Sequence, residues 1–438
     1  MRKNIVHIGA SELTYEIRQI VDVAHRIAKM SGREVFWENI GDPVQKGEVI
    51  PDFIKDIIAE AVREDKTYAY SPTRGVRETR EFLAEKRNKE GGAKLDPDDI
   101  LFFNGLGDAV NKVYGLLRRE ARVIGPSPAY PTHSSAEAAH AGYPPITYSL
   151  DPEKGWMPDL DELYNKVKYN ESIAGIMIIN PDNPTGAVFP EAVVSEMIDI
   201  ARRFDLFIVA DEIYMNMVYN DREYAPISKL IGDVPAIALK GISKEMPWPG
   251  GRCGWMEVYN QRNNPMFQTY VNSILNVKML EVCSTTLPQM VIPRIYSHPE
   301  WKEHQRKRNA FFSKRSNMVK EIFDSCPGVV VNPPDGAFYM SVVFNQEIPG
   351  DARLHIENPE IRAYIHSLCG PDAQPDRKFV YQLLGSRNIC TVPLSSFVSD
   401  LQGFRCTLLE QDDDRFRMIY TSIAEAIREF VDTGVVRA

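Results

Sequence analysis

Residues 173–186 read IAGIMIINPDNPTG and residues 206–211 read LFIVAD, so in both places a continuous apolar run passes directly into polar residues. A strand that reads as an unbroken apolar run is typically buried on both faces, as in a parallel sheet covered by helices. Between residues 95 and 260, such short runs alternate with longer helical patterns, which is typical of repeated strand-helix-strand units. We therefore predict an α/β fold whose large domain has a central, mostly parallel sheet.

The predicted elements divide the chain into two parts. The clearest strands of the first part are Ile100–Asn104, Ala121–Gly125, Ile173–Asn180, Leu206–Asp211, Ala236–Gly241 and Gly254–Tyr259. The helix Glu191–Phe204 supplies a covering layer. After Trp301, one long charged helix is followed by strands near Val329 and Phe338 and by a helix at Ile423–Phe430. That change of pattern predicts a second, smaller α+β domain.

We place the large domain at residues 51–310 and the small domain at residues 311–438. The first 50 residues hold a helical stretch, Glu12–Met30, and a turn, Asn39–Pro43. They can pack with either domain, and packing with the small domain is the preferred prediction. A turn-rich stretch from Asn345 to about Asp376 reads as an insertion in the small domain.

Composition and charge exclude several classes of protein. The 438 residues carry 51 Lys and Arg against 60 Asp and Glu, a formal net charge of -9, which argues against a nucleic-acid partner. No run approaches the roughly 20 apolar residues of a membrane-spanning helix, and the N-terminus lacks the apolar part of a signal peptide. We therefore expect a cytoplasmic protein without a membrane partner. The 6 Cys and 8 His show no CxxC or HExxH spacing, so no metal site or disulfide framework is predicted.

Polar residues follow five of the predicted strands, at the point where each strand ends. Because open α/β sheets bind ligands at the carboxyl ends of their strands, these residues are the first candidates for a site. In chain order they are Gly105-Leu106-Gly107-Asp108, Tyr130 with His133, Asn180–Gly186, Asp211-Glu212-Ile213-Tyr214, and Lys244 with Arg252.

Lys244 and Asp211 carry the strongest chemical signal. Lys244 follows a buried strand and precedes Arg252 in a glycine-rich stretch, which pairs an amine nucleophile with an anchor for an anion. The alternative is that Lys244 is a surface lysine without a chemical role. Asp211 ends an apolar strand, and a buried acid needs a cationic partner. The turn at residues 105–107 can cradle a phosphate or be a plain strand-to-helix turn. Tyr130 can stack on a flat cofactor or simply pack under its loop.

Four segments together resemble, in order and rough spacing, the cofactor motifs of class I and II aminotransferases. They are Asn180–Gly186, Asp211-Glu212-Ile213-Tyr214, Ser243-Lys244 and Arg252-Cys253-Gly254. The resemblance extends from Tyr70 to Arg417. It implies a pyridoxal 5'-phosphate enzyme of fold type I that transfers an amino group from an amino acid to a 2-oxo acid.

The resemblance implies chemical roles for several strand-end residues. Lys244 would carry the cofactor as a Schiff base and then move the proton between substrate and cofactor. Asp211 would pair with the protonated pyridine nitrogen, which keeps the ring able to accept electrons, and His133 would support Asp211 from behind. Asn183 and Tyr214 would hydrogen-bond the phenolic oxygen of the ring and so lower the proton affinity of the adjacent imine.

Binding roles follow from the same resemblance. The remaining cofactor contacts would be Tyr130 stacked on the ring and, around the phosphate, Arg252, Ser243, Gly107, Asp108 and Tyr70 of a second subunit. That last contact implies a homodimer with shared active sites. For the substrate, Arg417 in the strand-like run 415–419 would grip the α-carboxylate through two parallel hydrogen bonds. Gly41 and Asn183 would border the substrate.

The sequence departs from the family pattern in places that affect the predicted site. Gly241 stands where many relatives have a serine, so one phosphate hydroxyl is absent. Leu394 stands where a glycine is common. Leu280 is the approximate equivalent of a second arginine that aspartate-specific relatives carry, so we expect an amino donor with an uncharged, apolar or aromatic side chain. Lys278 lies two positions away and can still supply a charge.

Transamination is the leading prediction for the activity. A pyridoxal-phosphate lyase or decarboxylase uses the same lysine and aspartate and stays open as the alternative. A cofactor-binding transcription regulator needs a basic DNA-binding domain, for which the first 50 residues leave no room. A nicotinamide oxidoreductase needs the third glycine of GxGxxG, where this chain has Val110. The sequence leaves the identity of the amino acid and of the 2-oxo acid open.

Overall fold

An eight-stranded sheet forms the centre of the larger part of the computed structural model, which describes residues 5–12, 16–324, 326–349, 352–370 and 373–432. Its strands lie in the order Ile100–Phe103, Gly254–Tyr259, Ala236–Gly241, Phe207–Asp211, Ile173–Ile179, Arg122–Ser127, Thr147–Asp151 and Met157–Pro158. The strands from Ala236–Gly241 to Thr147–Asp151 are parallel to one another, and the outer pairings are antiparallel. The predicted α/β class and the mostly parallel sheet are confirmed.

Helices cover both faces of this sheet, which explains its unbroken apolar strands. Ile208 and Ala210 belong to one apolar core and Val209 to another, because alternate residues of a strand point to opposite faces. The helices of this part are Asp52–Ala61, Arg77–Lys89, Leu106–Gly115, Pro131–Ala141, Leu160–Tyr169, Glu191–Arg203, Ile227–Leu230, Ile242–Glu245, Pro265–Leu280 and Thr286–Ser297.

A four-stranded antiparallel sheet forms the centre of the smaller part, and its strands lie in the order Val329–Val331, Tyr339–Phe344, Gly403–Thr407 and Val392–Pro393. Its helices are Glu16–Ser31, Trp301–Phe323, Pro359–Leu368, Pro375–Arg387 and Asp413–Asp432. A third apolar core joins the N-terminal helix to this part, through Ile20 and Ile27 among others. A short parallel pair, Phe36–Trp37 with Ile389–Cys390, adds a second connection. The domain limits at residues 50 and 310 stay predictions.

Two predicted features of the smaller part are wrong. The run 415–419 belongs to the helix Asp413–Asp432 and is not a strand; its apolar residues recur at helical spacing and are buried on one face. The stretch from Asn345 to Asp376 is not turn-rich throughout, because it contains the helix Pro359–Leu368. The Asn358 side chain caps that helix by accepting hydrogen bonds from two backbone N–H groups of its first turn.

None of the helices in the described part of the chain is long and apolar enough to cross a membrane. The cytoplasmic location expected from the sequence stays a prediction.

Candidate active site

A cavity of about 490 Å³ opens at the carboxyl ends of the parallel strands. The predicted site residues that line it are Gly107, Tyr130, His133, Asn183, Asp211, Tyr214, Ser243, Lys244 and Arg252. The rest of the lining is Leu106, Val110, Thr132, Ile179, Ile213, Pro249 and Tyr339. Side chains from five separate strand ends therefore meet in one place.

Asp211 is buried at the end of the strand Phe207–Asp211, and its carboxylate has two partners. His133 Nε2 lies 2.9 Å from Oδ2, and the backbone N–H of Ile213 donates to Oδ1 at 3.1 Å. His133 is itself buried on the helix Pro131–Ala141, and its Nδ1 has no hydrogen-bond partner among the described residues. The partner that a buried acid requires is therefore an imidazole, which itself lines the cavity.

Lys244 projects its amine into the cavity from the short helix Ile242–Glu245. The Nζ atom donates to the carbonyl oxygen of Gly41 at 2.7 Å and lies 5.4 Å from the centre of the Phe338 ring. Within the described residues, no carboxylate forms an ion pair with Lys244. The Lys244 amine is therefore held by a neutral carbonyl at the wall of the cavity.

A glycine turn brings Arg252 against the start of the helix Leu106–Gly115. Gly105 has φ +87°, and a Cβ there would lie 2.3 Å from an Nη atom of Arg252, so glycine is needed both for the backbone conformation and for the space. Arg252 is also in the left-handed region and donates to the Pro249 carbonyl at 3.1 Å. A guanidinium beside a helix N-terminus makes a suitable site for a phosphate.

Asp108 shapes this turn and does not line the cavity. One oxygen of its carboxylate accepts a hydrogen bond from the backbone N–H of Asn104 at 3.0 Å, and the carboxylate forms an ion pair with Lys112. These contacts hold the pKa of Asp108 below its ordinary value in spite of partial burial. Its side chain therefore fixes the backbone groups that point at the cavity.

The segment Asn180–Gly186 is held by a buried carboxyl group that the sequence did not single out. Asp182 accepts hydrogen bonds from the backbone N–H and the hydroxyl of Thr185, at 3.1 and 2.5 Å. Burial raises the pKa of Asp182 to about 7. Its neighbour Asn183 faces the cavity and accepts a hydrogen bond from Arg405 through Oδ1 at 3.2 Å.

Arg405, which the sequence analysis did not single out, contacts two residues that line the cavity, Asn183 and Tyr339. It lies on the buried strand Gly403–Thr407, donates to the backbone carbonyl of Asn39 at 2.8 Å and to Asn183, and stacks on the Tyr339 ring at 4.5 Å. Its Nε atom and the Oδ1 atom of Asn39 are buried without a partner in the described part of the chain. A buried guanidinium that is only partly satisfied is suited to bind an incoming carboxylate.

Arg417, which the resemblance implied as the anchor of the substrate carboxylate, does not line the cavity. Arg417 lies on the helix Asp413–Asp432, its side chain is half exposed, and it pairs with Glu321. The sequence did contain a signal for Arg405. Residues 403–409 read GFRCTLL, a short apolar run with a single arginine inside it, and an isolated cation in a buried strand needs a functional explanation.

Tyr214 and Tyr339 place two hydroxyl groups together at the cavity. The Tyr214 hydroxyl donates to the Tyr339 hydroxyl at 3.3 Å, and both side chains are buried. Burial raises the pKa of Tyr214 well above its ordinary value, so Tyr214 stays protonated at neutral pH. The Tyr339 hydroxyl also lies 2.1 Å from the position that a Cβ on Gly41 would take. Gly41 thus borders the site, and a larger residue there would have to displace the Tyr339 hydroxyl.

Tyr70 and Leu280 lie at the surface of the described chain. Tyr70 is 84% exposed and Leu280 is 85% exposed, and neither lines the cavity. Lys278, by contrast, is fully buried, where it donates to Glu281 at 2.6 Å and to Ser284 at 3.0 Å. The charge that Lys278 could have supplied to a substrate is therefore already paired.

The residues of the cavity fit the pyridoxal 5'-phosphate that the sequence resemblance implies. Arg252 and the glycine turn suit a phosphate, Lys244 supplies the amine, and Asp211 supplies an anion for a ring nitrogen. The orphaned Nε atom of Arg405 leaves a separate place for a substrate carboxylate. No cluster of His, Cys, Asp and Glu suited to a metal ion occurs in the described ranges.

Comparisons with known proteins agree with this geometry. The family model described as aminotransferase class I and II matches residues 38–421. The chain is 55% identical over 434 residues to an uncharacterized aminotransferase of Methanocaldococcus jannaschii, which covers 99% of this chain and 100% of that protein. It is 29% identical over 329 residues to the glutamate-pyruvate aminotransferase of Escherichia coli, over 74% of this chain and 79% of that protein. An alanine aminotransferase structure from Pyrococcus furiosus has a similar fold, with a TM-score of 0.83 at 24% identity over 98% of this chain and 100% of that chain.

The crowding of Gly41 against Tyr339 gives a first prediction. Gly41→Ala should destabilise the protein by about 1–3 kcal/mol, because the new methyl group must displace the Tyr339 hydroxyl. Adding Tyr339→Phe should recover much of that loss, since the overlapping atom is then gone. Urea unfolding of the cofactor-free proteins measures both effects. Gly115→Ala is the matched control, because a Cβ there meets nothing within 4 Å; equal losses for the two glycines would contradict the prediction.

Proposed function

Because the chain belongs to the class I and II aminotransferases, which transfer amino groups with pyridoxal 5'-phosphate, we propose that the cavity at the strand ends is its active site. The observation that carries the proposal is the meeting of Lys244, Asp211 and Arg252 in that one cavity. These three residues supply an amine, a buried anion and an anchor for a phosphate. Few other reactions need all three at one edge of a sheet.

We propose that Lys244 binds the cofactor covalently and, once a substrate has displaced it, moves a proton to and from the substrate α-carbon. The cofactor, when bound, supplies the acceptor for the electron pair left on that carbon. Asp211 holds the proton on the ring nitrogen, and the His133 contact at 2.9 Å fixes the orientation of its carboxylate. Asn183 and Tyr214 bind the phenolic oxygen of the ring, as expected from the sequence.

The phosphate would lie against Arg252, Ser243 and the backbone of residues 106–108, with Tyr130 against the ring. Asp108 contributes through the turn that it shapes and not through its carboxylate, which would repel a phosphate. We assign the substrate α-carboxylate to Arg405 in place of Arg417. The two contacts that hold Arg405, Asn39 and Asn183, leave its Nε atom for this purpose.

The test of the covalent site is the attachment point of the cofactor. Borohydride reduction of the holoenzyme followed by peptide mapping should recover the cofactor on Lys244, and Lys244→Ala should abolish turnover, because no other lysine lines the cavity in the described chain. Lys89→Ala, which changes an exposed lysine, should leave activity unchanged. Recovery of the cofactor on a different lysine would falsify the assignment.

The two arginines give a matched pair of variants. Arg405→Lys should lower kcat/KM by at least about tenfold for every amino donor, because a lysine cannot form two parallel hydrogen bonds to a carboxylate. Arg417→Lys should leave kcat/KM unchanged, since Arg417 pairs with Glu321 at the surface. Steady-state kinetics with one donor and one acceptor decide the question, and the reverse ranking would return the role to Arg417.

We propose that the preferred donor has an uncharged side chain. Among the described residues, the charged groups that line the cavity are Asp211, Lys244 and Arg252, and each already has a role. Lys278 is paired with Glu281. A side-chain carboxylate would be buried without a partner, which costs on the order of 3–5 kcal/mol.

Aspartate should therefore react with a kcat/KM at least about tenfold below that of alanine, leucine, methionine or an aromatic amino acid. The comparison uses one shared 2-oxo acid acceptor for all donors. A clear preference for aspartate contradicts the proposal and points to a cation supplied by a second subunit.

We also propose a homodimer in which Tyr70 reaches the phosphate of the other subunit. Residues 69–73 lie against the segment that follows the helix Pro265–Leu280, where Thr73 donates to the Val282 carbonyl at 2.9 Å. Tyr68, Tyr70 and Leu280 are each more than three-quarters exposed there, and such an apolar surface suits contact with another copy. The dimer is a proposal that this exposure supports.

Complementation tests the shared site. Tyr70→Ala and Lys244→Ala should each be inactive or nearly so. A refolded mixture of the two should regain part of the activity, because each mixed dimer has one active site in which both Tyr70 and Lys244 are intact. The control is the Lys244→Ala variant refolded alone in the same way. An active monomer in sedimentation experiments, or an inactive mixture whose subunits demonstrably exchange, contradicts the shared site.

A further inference from the structure

Tyr339 has no assigned role, yet it contacts three parts of the proposed site. It begins the strand Tyr339–Phe344 of the small sheet and lines the cavity. Its hydroxyl lies 3.3 Å from that of Tyr214 and takes the space of a Gly41 side chain. Its ring lies beneath the Arg405 guanidinium at 4.5 Å.

These contacts hold the tyrosine in one position. A cation over an aromatic face is attractive and prefers a fixed geometry, so Arg405 restrains the ring. The backbone of Gly41 leaves room for the hydroxyl and for little else, since a Cβ would lie 2.1 Å from it. The Tyr339 hydroxyl is therefore held beside the Tyr214 hydroxyl by packing, without relying on the bond between them.

A neighbouring hydroxyl changes what Tyr214 can do. A tyrosine hydroxyl has one proton to donate and can also accept a hydrogen bond, and its proton rotates to suit its partners. When the Tyr214 hydroxyl donates a hydrogen bond to the phenolic oxygen of the ring, the Tyr339 hydroxyl can rotate and donate a hydrogen bond to the Tyr214 oxygen. Hydrogen bonds in such a chain strengthen one another, so Tyr214 becomes a better donor.

We propose that Tyr339 is a positioning residue that strengthens the hydrogen bond from Tyr214 to the phenolic oxygen of the cofactor. A stronger hydrogen bond favours the ionised oxygen and lowers the proton affinity of the neighbouring imine nitrogen. Tyr339 thereby lowers the pH at which the cofactor loses its proton. The inference rests on the proposed assignment of Tyr214 and adds a residue that acts through it.

Other ionisable groups face this pair of hydroxyls and must be kept constant in a test. Asp211 and Tyr130 act on Tyr214, Arg405 lies on the Tyr339 ring, and the Lys244 amine contacts the Gly41 carbonyl. A variant that removes only the Tyr339 oxygen leaves all four in place. Tyr339→Phe is that variant.

The experiment is a pH titration of the visible absorption of the holoenzyme, which gives the midpoint of the protonation change without any turnover. Tyr339→Phe should raise the midpoint by about 0.5 pH units, which corresponds to part of one hydrogen bond. In a Tyr214→Phe background, the same substitution should change the midpoint little, because the hydroxyl through which Tyr339 acts is gone.

Tyr219→Phe is the matched control. Tyr219 is also buried, but its hydroxyl donates to the Gly336 carbonyl at 3.2 Å and does not line the cavity. Its removal should leave the midpoint unchanged. A shift as large as that of Tyr339→Phe would mean that any buried hydroxyl lost from this region disturbs the site, which overturns the specific role.

Three further results also overturn the inference. They are an unchanged midpoint in Tyr339→Phe, an equal shift with and without the Tyr214 hydroxyl, and loss of the absorption band in Tyr339→Phe. The last result would make the hydroxyl a requirement for cofactor binding and not a means of positioning Tyr214. A wild-type protein without a cofactor band would instead reject the proposed function, and the inference would fall with it.

Discussion

A carboxylate buried at the end of the central strand sets the condition that the rest of the site meets. Asp211 lies between two parallel neighbours and is almost wholly removed from water, so its charge must be balanced locally. His133 meets that need from one side, and a ligand nitrogen can meet it from the cavity. The next residue, Glu212, carries a second buried carboxylate, and Lys240 on the adjacent strand pairs with it. Asp211 and Glu212 thus each have a separate nitrogen partner, so both carboxylates can be buried at this strand end without being left unpaired.

Arg405 connects parts of the chain that are far apart in sequence. It donates hydrogen bonds to the Asn39 carbonyl in the N-terminal segment and to Asn183, which follows a strand of the large sheet. Its guanidinium also stacks on Tyr339 of the small sheet. A carboxylate that binds Arg405 therefore contacts a group on which all three segments converge. Under the proposed role of Arg405, this arrangement would place substrate recognition where the small sheet meets the large one. It also explains why Gly41 and Tyr339 must fit so closely, because both lie beside the same guanidinium.

The strand ends of the large sheet were readable from the sequence, whereas only two strands of the small sheet, near Val329 and Phe338, were predicted. Unbroken apolar runs with polar ends predicted the places of Asp211 and Lys244, because burial on both faces leaves a clear pattern. Arg405 lies on the strand Gly403–Thr407, which the sequence analysis did not predict, and the family resemblance placed the substrate arginine at Arg417. Asp108 lies in the first turn of the helix Leu106–Gly115, and its ion pair with Lys112 depends on helical geometry that the glycine-turn motif does not show. The proposed roles of Tyr70 and Leu280 involve a second copy of the chain, and both residues are exposed in the single chain.

The hydroxyl groups at the cavity show how the proposed site can lower a proton affinity without adding charge. A cation next to the phenolic oxygen would favour its ionised form strongly, but it would also attract the carboxylate of the substrate to the wrong place. Neutral donors avoid that conflict. Burial keeps the pKa of Tyr214 well above its ordinary value, so its proton stays in place and remains available for donation across the neutral range. Arg405 lies over the Tyr339 ring, and its described hydrogen bonds go to Asn39 and Asn183 and not to Tyr214. Under the proposed assignments, the hydroxyls would serve the cofactor and the guanidinium would serve the substrate.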